Sequence, residues 1–136
     1  MKKLFKFLPT ITICLIIIIL SHKSGLKSNF SQVTDIILRK QAHIFEFTLL
    51  YLSFFLAISN YNISNLKSNI FKNISIFSFV FVLIFALSDE WHQSLVVSRT
   101  AKPIDILYDS LGALVGYILM WNIFIYNKIR KSVLEK

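Results

Sequence analysis

Charge and cysteine are what this chain of 136 residues has least of. Only 16% of its side chains are charged, whereas 55% are apolar and 13 residues are Phe. So little charge excludes an ordinary water-soluble domain, and so much apolar surface excludes a disordered chain. The single cysteine, Cys14, leaves no partner for an intramolecular disulfide and no cysteine metal cluster. It lies inside an apolar run, so redox compartment cannot be read from it. No HExxH, CxxC, GxSxG or phosphate-loop pattern occurs, and neither an internal repeat nor a low-complexity tract is evident. Acids are scarce too: 7 Asp and Glu face 15 Lys and Arg, for a net charge of +8. In a soluble chain that balance would point to nucleic acid. Here the bases fall between apolar runs, so membrane topology accounts for them and no nucleic-acid partner is expected.

What the chain does have is four apolar segments of spanning length, since a membrane helix needs about 20 mostly apolar residues. They cover approximately 4–20, 42–58, 74–95 and 104–126. The first ends at the Ser21, His22, Lys23 cluster, the second before Ser59 and Asn60, and the fourth starts just after Pro103. Lys2, Lys3 and Lys6 give the first segment the flank of a secretory signal, but no small-x-small cleavage site follows Leu20, so an uncleaved span is expected. The pattern predicts one domain over 1–136, an all-α integral membrane four-helix bundle.

Orientation follows from the bases. With the N-terminus inside, Lys2, Lys3, Lys6, Lys67, Lys72, Lys128, Arg130, Lys131 and Lys136 fall on the cytoplasmic side, against Lys23, Lys27, Arg39, Lys40, Arg99 and Lys102 opposite. The excess places both termini in the cytoplasm.

Ionisable groups within a spanning helix cost about 2.5 to 3.5 kcal/mol each at mid-bilayer, so their positions carry information. Arg39, His43 and Glu46 follow i, i+4, i+7 spacing on the second segment, and Ser53 and Ala57 continue that stripe with small side chains. Asp89, Glu90 and Gln93 cluster at the far end of the third. Asp105, Asp109, Gly112 and Gly116 share one face of the fourth, where the two glycines permit close helix packing. In the predicted topology all three faces meet at one depth on the extracytoplasmic side. The plainer reading of Arg39, Lys40 and Lys102 is that they snorkel to headgroups, which short carboxylate side chains cannot do. His92, Trp91, Trp121 and Tyr126 read as interfacial residues, and Lys67 and Lys72 as topology determinants.

Three roles suit this constellation. His43, Glu46, Glu90, Asp105 and Asp109 can serve as acid–base groups or hold a divalent cation while Arg99 grips a phosphate. They can form a proton or cation relay in an oligomer. Or they can hold the helices together as a structural network, with binding rather than catalysis as the outcome.

The segment RKQAHIFEF, Arg39 to Phe47, resembles the second-helix signature of VanZ-like membrane proteins. The run SDEWHQSLVVSRTAKPIDILYDSLGALVG, Ser88 to Gly116, is similar to that family's second signature. It matches at Glu90, Gln93, Arg99, Asp105, Asp109, Gly112 and Gly116. The family often has Pro-Gly just before the arginine, where this chain has Val97 and Ser98. The resemblance implies a multi-pass protein of the bacterial cytoplasmic membrane. The family is named for a protein that gives low-level resistance to teicoplanin, a lipid-tailed glycopeptide. With the outward polar site, it leads to an expected partner among membrane lipids, lipid-linked wall precursors or lipoglycopeptides. Ligand contacts are then expected from Arg39, Lys40, Asp89, Gln93 and Arg99. The alternative is a non-enzymatic membrane protein that alters access of lipid-tailed antibiotics. Whether the protein is an enzyme, whether it carries a cofactor such as a divalent cation, and its oligomeric state therefore stay open.

Overall fold

The computed structural model describes residues 4–22, 32–96 and 102–134. Among them the chain is helical with no strand. A 3-10 turn, Phe5–Phe7, leads into α1 (Leu8–His22), followed by α2 (Gln32–Ile58), a second 3-10 turn (Ile63–Asn65), α3 (Ser68–Leu95) and α4 (Pro103–Leu134). All four helices are long and apolar enough to cross a membrane, α1 together with its leading turn. The expected all-helical, four-span architecture is therefore what the chain adopts.

The helices outrun the apolar segments that announced them. α2 begins at Gln32, not near 42, and α4 continues to Leu134, well past 126. Counting apolar runs finds where charge begins, whereas backbone hydrogen bonding continues through Asp35, Arg39 and Lys40 undisturbed. At about 1.5 Å per residue, α2, α3 and α4 are about 40 to 48 Å long. A hydrocarbon core is only about 30 Å thick, so their polar ends extend into the headgroup layers.

Successive helices run in opposite directions. α1 and α3 rise toward one end of the bundle, and α2 and α4 start there. α2 and α4 are thus parallel, and their contacts keep a nearly constant register: Lys40 meets Asp105, His43 meets Asp109, and Thr48 meets Gly112. The glycines set how close they come. A Cβ on Gly112 would lie 2.5 Å from the Ile44 carbonyl oxygen, and one on Gly116 would lie 2.8 Å from the Tyr51 ring. The Thr48 hydroxyl sits between the Ile44 and Gly112 carbonyls, 2.7 and 2.9 Å away, and gives its single proton to one of them at a time.

Below this contact the core is aromatic. Phe47, Tyr51 and Phe55 of α2 are fully buried beside Phe71 of α3 and Phe124 of α4. Phe71 and Phe124 stack at 4.3 Å, and Phe54 stacks on Phe81 at 3.9 Å. The outward faces are lined with exposed Ile, Leu and Val, among them Ile76, Ile84, Leu107 and Ile118. A soluble monomer rarely shows so continuous an apolar surface, and lipid is the solvent that suits it. At the end of the bundle away from Asp89 and Asp109, Asn60 and Tyr61 both take positive φ (52° and 58°) to turn the chain out of α2. The Tyr61 hydroxyl donates to the Lys6 carbonyl there, which ties this turn to the start of the chain.

Candidate functional site

The polar residues collect at the end where α1 and α3 finish and α2 and α4 begin. Asp89, Glu90 and Asp109 are only 3%, 7% and 2% exposed. Asp89, Glu90, Asp105 and Asp109 lie close enough together for their charges to act on one another. Helical geometry then divides them into three contacts.

Between α2 and α4, the Asp109 carboxylate lies 3.1 Å from His43 Nδ1. The contact is an ion pair when the imidazole is protonated and a hydrogen bond from Nδ1–H when it is neutral. One turn nearer the membrane surface, Lys40 donates to Asp105 at 2.7 Å and lies over the Tyr108 ring at 3.9 Å. That pair is about 30% exposed, so it contributes at most about 1 kcal/mol. Glu46, one turn deeper on α2, is half-buried and its charge also acts on His43. Arg39 is exposed.

Between α1 and α3, Asp89 and Gln93 are one turn apart and both turn toward Ser21. The Ser21 hydroxyl donates to Asp89 Oδ2 at 2.9 Å, and the Gln93 amide donates to the same oxygen at 2.7 Å. The second oxygen, Asp89 Oδ1, is buried without a hydrogen-bond partner among the described residues, as is His92 Nε2. A cavity of about 230 Å³ opens beside both residues, with Ile18, Phe85 and Trp91 among its walls. The His92 ring lies 5.6 Å from that of His22, so it faces the end of α1 as well as the interface.

Between α3 and α4, Glu90 is rotated about 100° from Asp89 and faces the start of α4. Its carboxylate accepts the backbone N–H of Lys102, the residue before Pro103. The first N–H groups of a helix have no partner inside it, and the partial positive charge there favours a carboxylate. Glu90 thus caps the start of α4 at Pro103, a contact its spacing in the sequence does not suggest. Ser21, His22 and Thr48 also belong to this end of the bundle without a sequence signal for it. The first two read as the cluster that stops a span, and a lone threonine in an apolar run gives no signal of its own.

Arg99, expected beside these groups, lies outside the described residues. Gly112 and Gly116 face α2 directly beneath the His43–Asp109 contact. Among the described residues no three His, Cys, Asp or Glu side chains are grouped so as to hold a metal ion. The arrangement offers acids, an imidazole and amide donors, and the chemistry it supports is proton exchange and recognition of a polar group.

A family model described as VanZ/LLP1 matches residues 3–126, most of the chain. The chain belongs to the VanZ/LLP1 family. Membership and the four spanning-length helices together make it a multi-pass membrane protein of the VanZ type. No curated protein and no solved structure matches the chain. The VanZ/LLP1 match includes α1, so Ser21 and its contact with Asp89 fall inside the family's region.

Proposed function

We propose that the polar end faces outward from the cytoplasmic membrane of a bacterium, with both termini inside. There it binds or modifies an envelope lipid or a lipid-linked ligand such as a wall precursor or lipoglycopeptide. The observation that carries this reading is the burial of Asp89, Glu90 and Asp109 at one end of the bundle. Carboxylates withdrawn into a membrane protein are expensive and are ordinarily kept for function. His43 with Asp109 is the pair suited to proton transfer, since each can hold a proton for the other. Glu46, Glu90 and Asp105 supply negative charge around it. The cavity at Asp89 and His92 lies between α1 and α3, the side from which a ligand with an apolar tail would enter out of the bilayer. Arg39, Lys40 and Gln93, at the same end of the bundle, are the proposed headgroup contacts, although none of the three lines this cavity and Lys40 pairs with Asp105.

Glu90→Gln tests this with little structural disturbance, because the amide oxygen still accepts the Lys102 N–H while the charge is lost. Wild type and Glu90→Gln, expressed at matched membrane levels in a sensitive bacterium, are challenged with teicoplanin and with vancomycin. Protection by the wild type against the lipid-tailed drug alone, abolished in the variant, is the expected result. Equal protection from both, or none from either, would contradict the proposal.

A further inference from the structure

A buried carboxylate oxygen with no donor is rare in a native fold, because leaving water without gaining a hydrogen bond is unfavourable. Asp89 has one. Its side chain is 3% exposed, and the Ser21 hydroxyl and the Gln93 amide both donate to Oδ2. Oδ1 is left with no partner among the described residues. The two donors on Oδ2 are neutral, and neither described ion pair, Lys40 with Asp105 or His43 with Asp109, includes Asp89. The charges of Glu90 and Asp109 act on that of Asp89, so the local field favours a cation over an anion.

His92 follows Asp89 by one turn of α3, and its Nε2 is also buried and unpartnered among the described residues. Asp89 and His92 both line the cavity of about 230 Å³ between α1 and α3, whereas Ser21 and Gln93, which hold Oδ2, do not. Oδ1 is therefore the Asp89 oxygen left for a ligand. Ser88, also in the wall, gives its proton to the Ile84 carbonyl. Apolar side chains, Ile18, Phe85, Trp91 and Leu95, make up the rest. The cavity is smaller than the roughly 300 to 1,000 Å³ common for drug-sized ligands, so it takes a head group and the first carbons of a chain rather than a whole lipid.

On the reading that this end of the bundle receives a lipid or lipid-linked ligand, we infer that the group received in the Asp89–His92 cavity is a primary ammonium carried on an apolar tail. The ammonium gives one proton to Asp89 Oδ1 and a second to His92 Nε2, whose ring is then neutral and protonated at Nδ1. The attached carbons lie against Ile18, Phe85 and Leu95, and Trp91 offers an aromatic surface of the kind that attracts cations. A quaternary ammonium has no proton to donate and would leave both atoms unpartnered. An anionic group would meet the Asp89 charge directly. A metal ion is a poorer fit, because among the described residues no three His, Cys, Asp or Glu side chains are grouped to hold one. Two kinds of molecule carry such an ammonium, an aminophospholipid and a lipid-tailed peptide with a free amine.

The test is binding to the purified full chain in neutral detergent, read by native mass spectrometry. The probes are phosphatidylethanolamine, phosphatidylcholine, phosphatidylglycerol and palmitoyl-Gly-Lys amide, a tailed peptide with one free amine. At least one of the two amines is expected to bind about 10-fold or more tightly than phosphatidylcholine and phosphatidylglycerol, and the tighter of the two identifies the source. Asp89→Asn, whose amide oxygen still accepts from Ser21 and Gln93, is expected to weaken that binding by about 10- to 100-fold. Leu95→Trp narrows the cavity from an exposed position, keeps both polar groups and is expected to weaken binding as well. Amine binding unchanged in both variants would overturn the inference. All four probes binding alike, and all weakened by Leu95→Trp, would also overturn it while leaving the proposed lipid site standing. Binding of none of the probes would overturn it too, and the drug challenge with Glu90→Gln then decides the proposed function separately.

Discussion

Gly112→Ala lowers the unfolding free energy of the detergent-solubilised protein by about 2 to 3 kcal/mol, the upper part of the usual overpacking range, and Gly112→Val costs more. The reason is local. The added carbon would stand 2.5 Å from the Ile44 carbonyl oxygen, 2.9 Å from Phe47 Cβ and 3.1 Å from the Thr48 nitrogen. Two of these are backbone atoms of α2, so no side-chain rotation relieves the clash. α2 and α4 must move apart, which also lengthens the Thr48 contact and the His43–Asp109 contact above it. Gly116→Ala is destabilising for a different reason, because the Tyr51 ring it meets is fully buried and held among its neighbours. Thermal unfolding followed by tryptophan fluorescence measures both. A Gly112→Val variant as stable as wild type would show that the two helices do not touch where described.

His43→Leu is expected to cost about 3 to 5 kcal/mol and to lower the amount of protein in the membrane, because it strands the Asp109 carboxylate at 2% exposure. Asp109→Leu leaves a half-buried imidazole nitrogen instead, at about 1 to 3 kcal/mol. The combination His43→Leu/Asp109→Leu removes both partners and replaces them with apolar side chains of suitable size. Such replacements of a whole buried pair are often neutral or stabilising, so abundance is expected to return close to wild type. On the proposed function, protection against the lipid-tailed drug is not expected to return. A double variant that is both abundant and protective would make the pair a structural contact alone. Purely additive losses across the cycle would show that the two residues do not interact.

The bundle was legible in the sequence because its apolar segments are long and are interrupted only where charge is needed. Helix faces were legible for the same reason. His43 and Asp109, each placed on a polar stripe by spacing alone, turn out to face one another. What spacing could not supply was the partition among helices. Asp89 and Glu90 are neighbours in sequence, yet a rotation of about 100° sends one to α1 and the other to α4. In sequence Ser21 marks only the end of a span, whereas in the structure its hydroxyl meets Asp89. A single hydroxyl at a helix end looks the same in sequence whether it faces water or a buried acid. The opposite, basic end, with Lys67, Lys72 and Lys128, gives only a topology signal in sequence.

An outward site requires the polar end to lie outside the cytoplasm, and cysteine accessibility tests that directly. In a Cys14→Ser background a single cysteine is placed at Lys102→Cys, an exposed position beside the carboxylates, or at Ser64→Cys, exposed at the basic end. Intact cells are then treated with a membrane-impermeant maleimide. Labelling of Lys102→Cys in intact cells, with Ser64→Cys labelled only after permeabilisation, is the predicted result. The reverse pattern would put His43, Glu90 and Asp109 in the cytoplasmic leaflet and contradict an outward site.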